Sequence, residues 1–357
     1  MHYGSNSGVI MHDLVEQLHS RGAKKVLVQL PEGLKSKSAE IAEFLEKSGI
    51  AAVVSAEACY GACDLRDHEA KVMGCDLLVH IGHNKFYIDF ETAVPVLYYP
   101  YYIPYQLNGV DFSSIKEKRI GIVTTIQHMS LLKDVKDLLE QQGKEAVIGG
   151  QILGCWFVNA KKIEDSVDAF LFVGSGVFHP LGIKTEKPLY TYDLETHELE
   201  KLDLTLAEKR RYALIYKCKD AKTFGILVST KAGQKELLGK AERVRAYLKE
   251  KDKRAFIIIM DEITEQKLQA LRLDAYINTA CPRLMDDHFT KPLINAEDVP
   301  KIFEDPFEHL QRSEASLRRQ KASLSERDKR SKASTESIDF EGTIEQTKIK
   351  TERKLAE

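Results

Sequence analysis

The 357-residue chain has no cysteine pair spaced CxxC, the usual mark of a zinc site built from cysteine. It has no GxxxxGK(S/T) phosphate loop. Gly174-Ser175-Gly176 does not extend into GxGxxG, so no dinucleotide fingerprint is present either. Long apolar runs are missing. Phe256-Ile257-Ile258-Ile259-Met260 is strand-sized and far too short to span a bilayer. Met1 opens onto His2-Tyr3-Gly4-Ser5 without a basic start and an apolar core, so no secretory signal is expected. A formal net charge of −2 gives no general basic field, and direct nucleic-acid binding is not expected. These absences describe a cytoplasmic protein without a membrane partner, in a compartment where thiols stay reduced. The six cysteines are then metal ligands, catalytic groups or core residues rather than disulfides.

What the chain does have is a repeated α/β unit. Lys25-Val26-Leu27-Val28-Gln29-Leu30 reads as a buried strand, followed by a helix through Ile41, Ala42 and Leu45 and a second strand at Ile50 to Val54. The plan recurs at Arg119 to Val123, with a helix through Leu131, Leu132, Val135 and Leu139 and a strand at Ala146 to Ile148. A third pass starts at Phe224 to Val228 and continues through Ala241, Val244 and Leu248 to Ala255–Met260. Apolar strands alternating with amphipathic helices predict parallel sheets built from βαβ units. The back halves agree as well: Asp76-Leu77-Leu78-Val79, Asp168-Ala169-Phe170-Leu171 and Asp274-Ala275-Tyr276-Ile277 each precede a proline-opened fourth strand, at Pro95, Pro188 and Pro292. The expected fold is therefore α/β: three similar small domains, each a parallel sheet with flanking helices, around a central site. Their ranges are 1–110, 111–207 and 208–304. A charge-rich tail, 305–357, is expected to be disordered or a solvated helix. Tyr98 to Tyr105 marks the first junction, and packing between domains is its simplest role.

One cysteine stands at the mouth of each unit. Cys59 and Cys155 follow the second strand of their units, and Cys281 follows the third strand, in register with His83 and Ser175. All lie at carboxyl ends of parallel strands, where open α/β sheets place ligands. Three thiolates from three units can hold an iron–sulfur cubane and leave one iron open. Zinc competes for the same donors, and dispersed cysteines are also ordinary buried small side chains. Cys75 and Cys218 read as core. Cys63, four residues after Cys59, follows the same strand, and spacing alone does not choose between the two. Two turns after first strands are candidates for gripping a small molecule: Gln29, Glu32 and Gly33 in unit one, and Ser229, Thr230, Lys231, Gly233 and Gln234 in unit three. His179, in Ser175 to Gly182, is a candidate to line the central cavity.

Over about residues 8–300 the chain resembles the archaeal 2-(3-amino-3-carboxypropyl)histidine synthases, a noncanonical radical family. The resemblance rests on Val28-Gln29-Leu30-Pro31-Glu32-Gly33-Leu34, Ala58-Cys59-Tyr60-Gly61-Ala62-Cys63-Asp64, Gly150-Gln151-Ile152-Leu153-Gly154-Cys155, Gly176-Val177-Phe178-His179-Pro180-Leu181-Gly182 and Ala280-Cys281-Pro282-Arg283. It implies a 4Fe–4S cluster, with Cys59, Cys155 and Cys281 as its ligands and Cys59 preferred to Cys63. S-adenosylmethionine is the implied co-substrate, and the turn residues above and His179 become candidates for binding it. The implied activity is transfer of the 3-amino-3-carboxypropyl group to C2 of a histidine in translation elongation factor 2, the first step of diphthamide synthesis. A homodimer and an external electron donor are implied too. Two other readings compete: a dehydratase resembling quinolinate synthase, which also has three α/β domains around a cubane, and a non-catalytic three-domain binding protein.

Overall fold

The apolar strands in the middle of each sheet are buried because they pair on both sides. The computed structural model describes residues 7–304 apart from 86, 88, 104, 108, 232, 235–237 and 286. The first segment runs α1 (Ser7–Ser20), β1 (Lys25–Gln29), α2 (Ser38–Lys47), β2 (Ala51–Val54), α3 (Asp67–Val72), β3 (Leu77–Ile81) and β4 (Val96–Tyr99). The second runs β5 (Arg119–Thr124), α4 (Leu132–Gln141), β6 (Glu145–Gln151), α5 (Val158–Ile163), β7 (Ala169–Val173), α6 (Phe178–Leu181), β8 (Leu189–Tyr192) and β9 (Leu199–Lys201). The third runs α7 (Leu204–Lys217), β10 (Thr223–Ser229), α8 (Leu238–Glu250), β11 (Arg254–Met260), α9 (Glu265–Leu271), β12 (Ala275–Asn278) and β13 (Leu293–Asn295).

The three sheets share one strand order: β2-β1-β3-β4, β6-β5-β7-β8 and β11-β10-β12-β13. Every pairing in these orders is parallel, and β9 alone adds an antiparallel edge, beside β8. Central strands β3, β7 and β12 are buried at every residue, whereas edge strands β2 and β11 have no fully buried residue. The core of the first sheet packs Leu14 and Leu18 of α1 and Ile41 and Leu45 of α2 against Val26, Val28 and Val79. In the second, Leu132, Val135 and Leu139 of α4 cover Ile120, Ile122 and Leu171. Both stripes follow the three-to-four residue spacing read from the sequence.

The second boundary, expected near Asp203 to Leu206 and written as 207/208, falls at the start of α7, whose N-cap Asp203 accepts from the Leu206 N–H and whose Ile215 is buried. The β9 hairpin was not anticipated; Leu199-Glu200-Lys201 is short and charged, as edge strands tend to be. The tyrosine-rich stretch packs at the junction, with Tyr99 and Tyr101 on the first core and Tyr105 on the second. The expected tail, 305–357, lies outside the described residues.

Candidate metal centre

Parallel strands deliver their loops to one edge, and the three carboxyl edges meet. Loop 55–66, after β2, docks on the third sheet. Lys231 Nζ lies 2.7 Å from Asp64 Oδ1, and Arg66 Nη1 donates to Asp261 Oδ2 at 2.8 Å. Tyr60 Oη donates to Glu262 at 3.0 Å, while the Arg283 guanidinium lies 4.3 Å from the Tyr60 ring centre. The second sheet is joined by a reciprocal amide pair, Asn84 with Gln151 at 2.8 and 2.9 Å, and by Gln127 Nε2 donating to the Gly82 carbonyl at 2.8 Å. The Tyr87 and Trp156 rings stack with centres 5.9 Å apart.

Three thiols act on one another electrostatically at this junction: Cys63, Cys155 and Cys281. Burial pushes the Cys63 thiol up to about 11, and Cys281 is among the charges acting on it. Burial likewise raises Cys155 to about 11, with Cys63 the next influence and a hydrogen bond from Tyr87 opposing it. Burial also raises Cys281, which feels Cys155. The Tyr87 hydroxyl, up to about 12 chiefly through burial, feels all three. A cation bound among such thiols would reverse the effect and hold them as thiolates. The donor set suits an iron–sulfur cluster: soft sulfur only, one thiol from each sheet, and a fourth corner left open.

Cys59 also feels Cys63, but the donors grouped with it are two histidines. It is buried, and burial followed by the Asp64 carboxylate pushes it up to about 12. Its partners are histidines: one donor atom from each of Cys59, His80 and His83 lies within 4.8 Å of the others. Between the two cysteines the chain reverses at Gly61, whose carbonyl accepts from the Asp64 N–H at 2.9 Å. Cys63 then faces the third sheet, where Gln234 Nε2 donates to its sulfur at 3.6 Å and the Gly233 N–H donates to its carbonyl at 3.0 Å. Cys75 and Cys218 are buried core residues.

The turn after β10 reaches this centre. Ser229 Oγ accepts from the Lys231 N–H, and Thr230 Oγ1 lies 3.4 Å from Asp261 Oδ1. A cleft beside it is lined by Tyr60, Ser229, Lys231, Gln234, Cys281 and Arg283, among others. Gln234 Oε1 and Arg283 Nε are buried there without a protein hydrogen-bond partner, as groups awaiting a polar ligand are. Arg283 was quoted in the Ala280–Arg283 motif but not singled out; its place after the third cysteine was the available signal.

The turn after β1 does not reach the cleft. Gln29 is fully buried and committed to protein partners: Nε2 donates to the Asp64 carbonyl at 2.7 Å, and Oε1 takes the Arg66 N–H at 3.3 Å. It holds the cysteine loop instead of a ligand. Glu32 pairs with Lys35 on an exposed 3-10 turn that also carries Gly33, and neither lines the cleft. His179 Nδ1 accepts from the Gly154 N–H at 3.1 Å, fixing the residue before Cys155. Burial lowers His179 to about 4, so it is a neutral imidazole near neutral pH.

Comparison with known proteins identifies the family. A family model described as "Putative diphthamide synthesis protein" matches residues 30–306. The 2-(3-amino-3-carboxypropyl)histidine synthase of Pyrococcus horikoshii is 37% identical over 306 residues, covering 80% of this chain and 88% of that protein. Subunit 1 of the synthase of that name from Schizosaccharomyces pombe is 30% identical over 323 residues, covering 82% and 73%. The crystal structure of Dph2 from Pyrococcus horikoshii with a 4Fe–4S cluster is similar with a TM-score of 0.74 at 35% identity, covering 82% of this chain and 90% of that one.

Proposed function

The chain belongs to the diphthamide synthesis protein family, and on that premise we propose that it is a 2-(3-amino-3-carboxypropyl)histidine synthase. It moves the 3-amino-3-carboxypropyl group of S-adenosylmethionine to C2 of a histidine in translation elongation factor 2. The observation that carries this reading is the meeting of three thiols from three sheets beside a cleft with unsatisfied polar atoms.

Cys63, Cys155 and Cys281 would hold a 4Fe–4S cluster, and Cys63 replaces Cys59 in the ligand set expected from the sequence. When bound, the cluster supplies the electron for cleaving a carbon–sulfur bond of the sulfonium. The protein's own part is placement and shielding. Arg283 Nε is suited to the methionine carboxylate, and Gln234 Oε1 to its ammonium. Holding that end fixes which of three carbon–sulfur bonds faces the open corner. Lys231 and Asp64 neutralise each other at the base of the cleft and keep the loop bearing Cys63 in place.

The reading also entails elongation factor 2 as a macromolecular substrate and an external electron donor, both met in the cytoplasm. A second copy of the chain is its expected partner, and Phe256 and Ile259 on edge strand β11 are exposed apolar groups such a partner can cover. Among the described residues no helix is long and apolar enough to cross a membrane.

The test is anaerobic purification of single serine variants. Cys63→Ser, Cys155→Ser and Cys281→Ser are each expected to lose most bound iron and sulfide. They should also lose methylthioadenosine formation from S-adenosylmethionine and dithionite. Cys59→Ser is expected to keep its iron. A Cys63→Ser protein with full iron, or a Cys59→Ser protein without it, overturns the ligand set; a colourless parent protein overturns the activity.

A further inference from the structure

The cluster reading leaves Cys59, His80 and His83 without a role. They lie at the carboxyl end of the first sheet, His80 within β3 and His83 just beyond it. Cys59 and His80 are buried, and His83 is largely so. The amide of Gln29 fixes the protons here. Its Nε2 faces the Asp64 carbonyl, which only accepts, so its Oε1 is the atom 3.0 Å from His80 Nδ1. His80 Nδ1 therefore carries the hydrogen and donates it. His80 Nε2 is left as a bare lone pair, and it lies 3.0 Å from His83 Nδ1. A histidine whose far nitrogen donates to a fixed acceptor while its near nitrogen is bare has the orientation of a metal ligand.

We propose that Cys59, His80 and His83 form a second metal site, distinct from the three-thiol centre, for a divalent first-row ion of the zinc type. Two nitrogens bound tetrahedrally to zinc stand about 3.3 Å apart. The observed 3.0 Å is close to that, and the Cys59 sulfur lies within 4.8 Å of one ring nitrogen of each histidine. One thiolate and two imidazoles form a borderline-soft set that zinc accepts, with a fourth position for water. The proton balance is definite. Cys59 gives up its thiol proton, while His83 exchanges Nδ1–H for Nε2–H, so each ion bound releases one proton. Such a site clips the end of β3 to the loop that carries Cys63 four residues later. It goes beyond the proposed activity and needs neither S-adenosylmethionine nor the cluster.

The experiment loads iron-replete protein with zinc against a competing chelator. Zinc, iron and released protons are counted, and X-ray absorption is read at the zinc edge, separately from iron. One zinc per chain is expected, with one sulfur and two nitrogen donors, one proton released and no iron lost. Cys59→Ser and His83→Gln should each bind less than one zinc per chain under those conditions while keeping their iron. Because the two variants alter different elements, a folding failure in one leaves the other as the test. No uptake of zinc overturns the site. So does a zinc shell of three sulfurs, which would place the ion on the cluster's thiols, or unchanged zinc binding in both variants. Loss of the cluster in Cys63→Ser with zinc still bound separates this site from the transfer reading.

Discussion

At the scale of residues, the decisive fact is how two cysteines four apart come to face different ways. The turn at Gly61 sends Cys59 toward His80 and Cys63 toward Gln234. Contact with the third sheet is what makes Cys63 the useful one. Gly233 sits so tightly on it that an added Cβ would lie 2.6 Å from Cys63 Cα and 2.7 Å from its Cβ. Backbone, not a flexible side chain, is in the way, so Gly233→Ala must move the two loops apart. Overpacking of this kind costs about 1–3 kcal/mol. Here it also displaces a proposed ligand. The expected result is a lower midpoint in urea and a lower iron content per chain than the parent. Parent-like values for both would show that Gly233 does not set the position of Cys63.

At the scale of elements, the sheet edge after β6 shows the same dependence on close approach. Gly182, which follows α6, lies against Gly154: a Cβ at Gly182 would be 2.3 Å from the Gly154 carbonyl oxygen. The Gly154 N–H is meanwhile held by His179. Gly182→Ala is therefore expected to shift the Cys155 loop, with an unfolding cost of about 1–3 kcal/mol and partial loss of iron. An unchanged iron content would mean that the loop is placed by other contacts. These elements also mark what was legible in the sequence. Strands β1, β5 and β10 and helices α2, α4 and α8 announced themselves because burial on both faces demands apolar runs, and packing on one face demands a stripe. Cys155 and Cys281 were legible as candidates because they lie just past strand ends. The proposal of Cys63 was not, because it depends on contacts with Gly233 and Gln234, far along the chain. The turn after β1 does not line the cleft for a related reason: Gln29 occupies the same place as Ser229, but the loop bearing Asp64 and Arg66 lies over it and takes its hydrogen bonds.

At the scale of the whole molecule, the threefold repeat extends to single hydrogen bonds. The aspartate before β3, β7 and β12 receives the N–H groups that open the neighbouring first strand. Asp76 takes Lys24 and Lys25, Asp168 takes Arg119, and Asp274 takes Lys222 and Thr223. Each aspartate's own N–H returns a bond, to the carbonyls of Lys25, Arg119 and Thr223. The same clasp thus pins the amino end of each sheet, opposite the edge where the thiols meet. Hydrogen bonds to the ionised form lower all three carboxyls: from the Lys25 N–H to Asp76, from the Arg119 side chain to Asp168 and from the Thr223 side chain to Asp274. A folded-state pKa below the unfolded one gives stability that is present above the unfolded value, about 4, and is lost as pH falls through the folded value. Replacing all three aspartates by asparagine should therefore lower the melting temperature most near neutral pH. The gap to the parent should narrow from about pH 4 downward, because the parent loses the same contribution on protonation. Melting curves of both proteins across that range, followed by circular dichroism, make the comparison. A gap that stays constant with pH would show that the clasps act through shape alone, and the electrostatic part of the repeat would have to be abandoned.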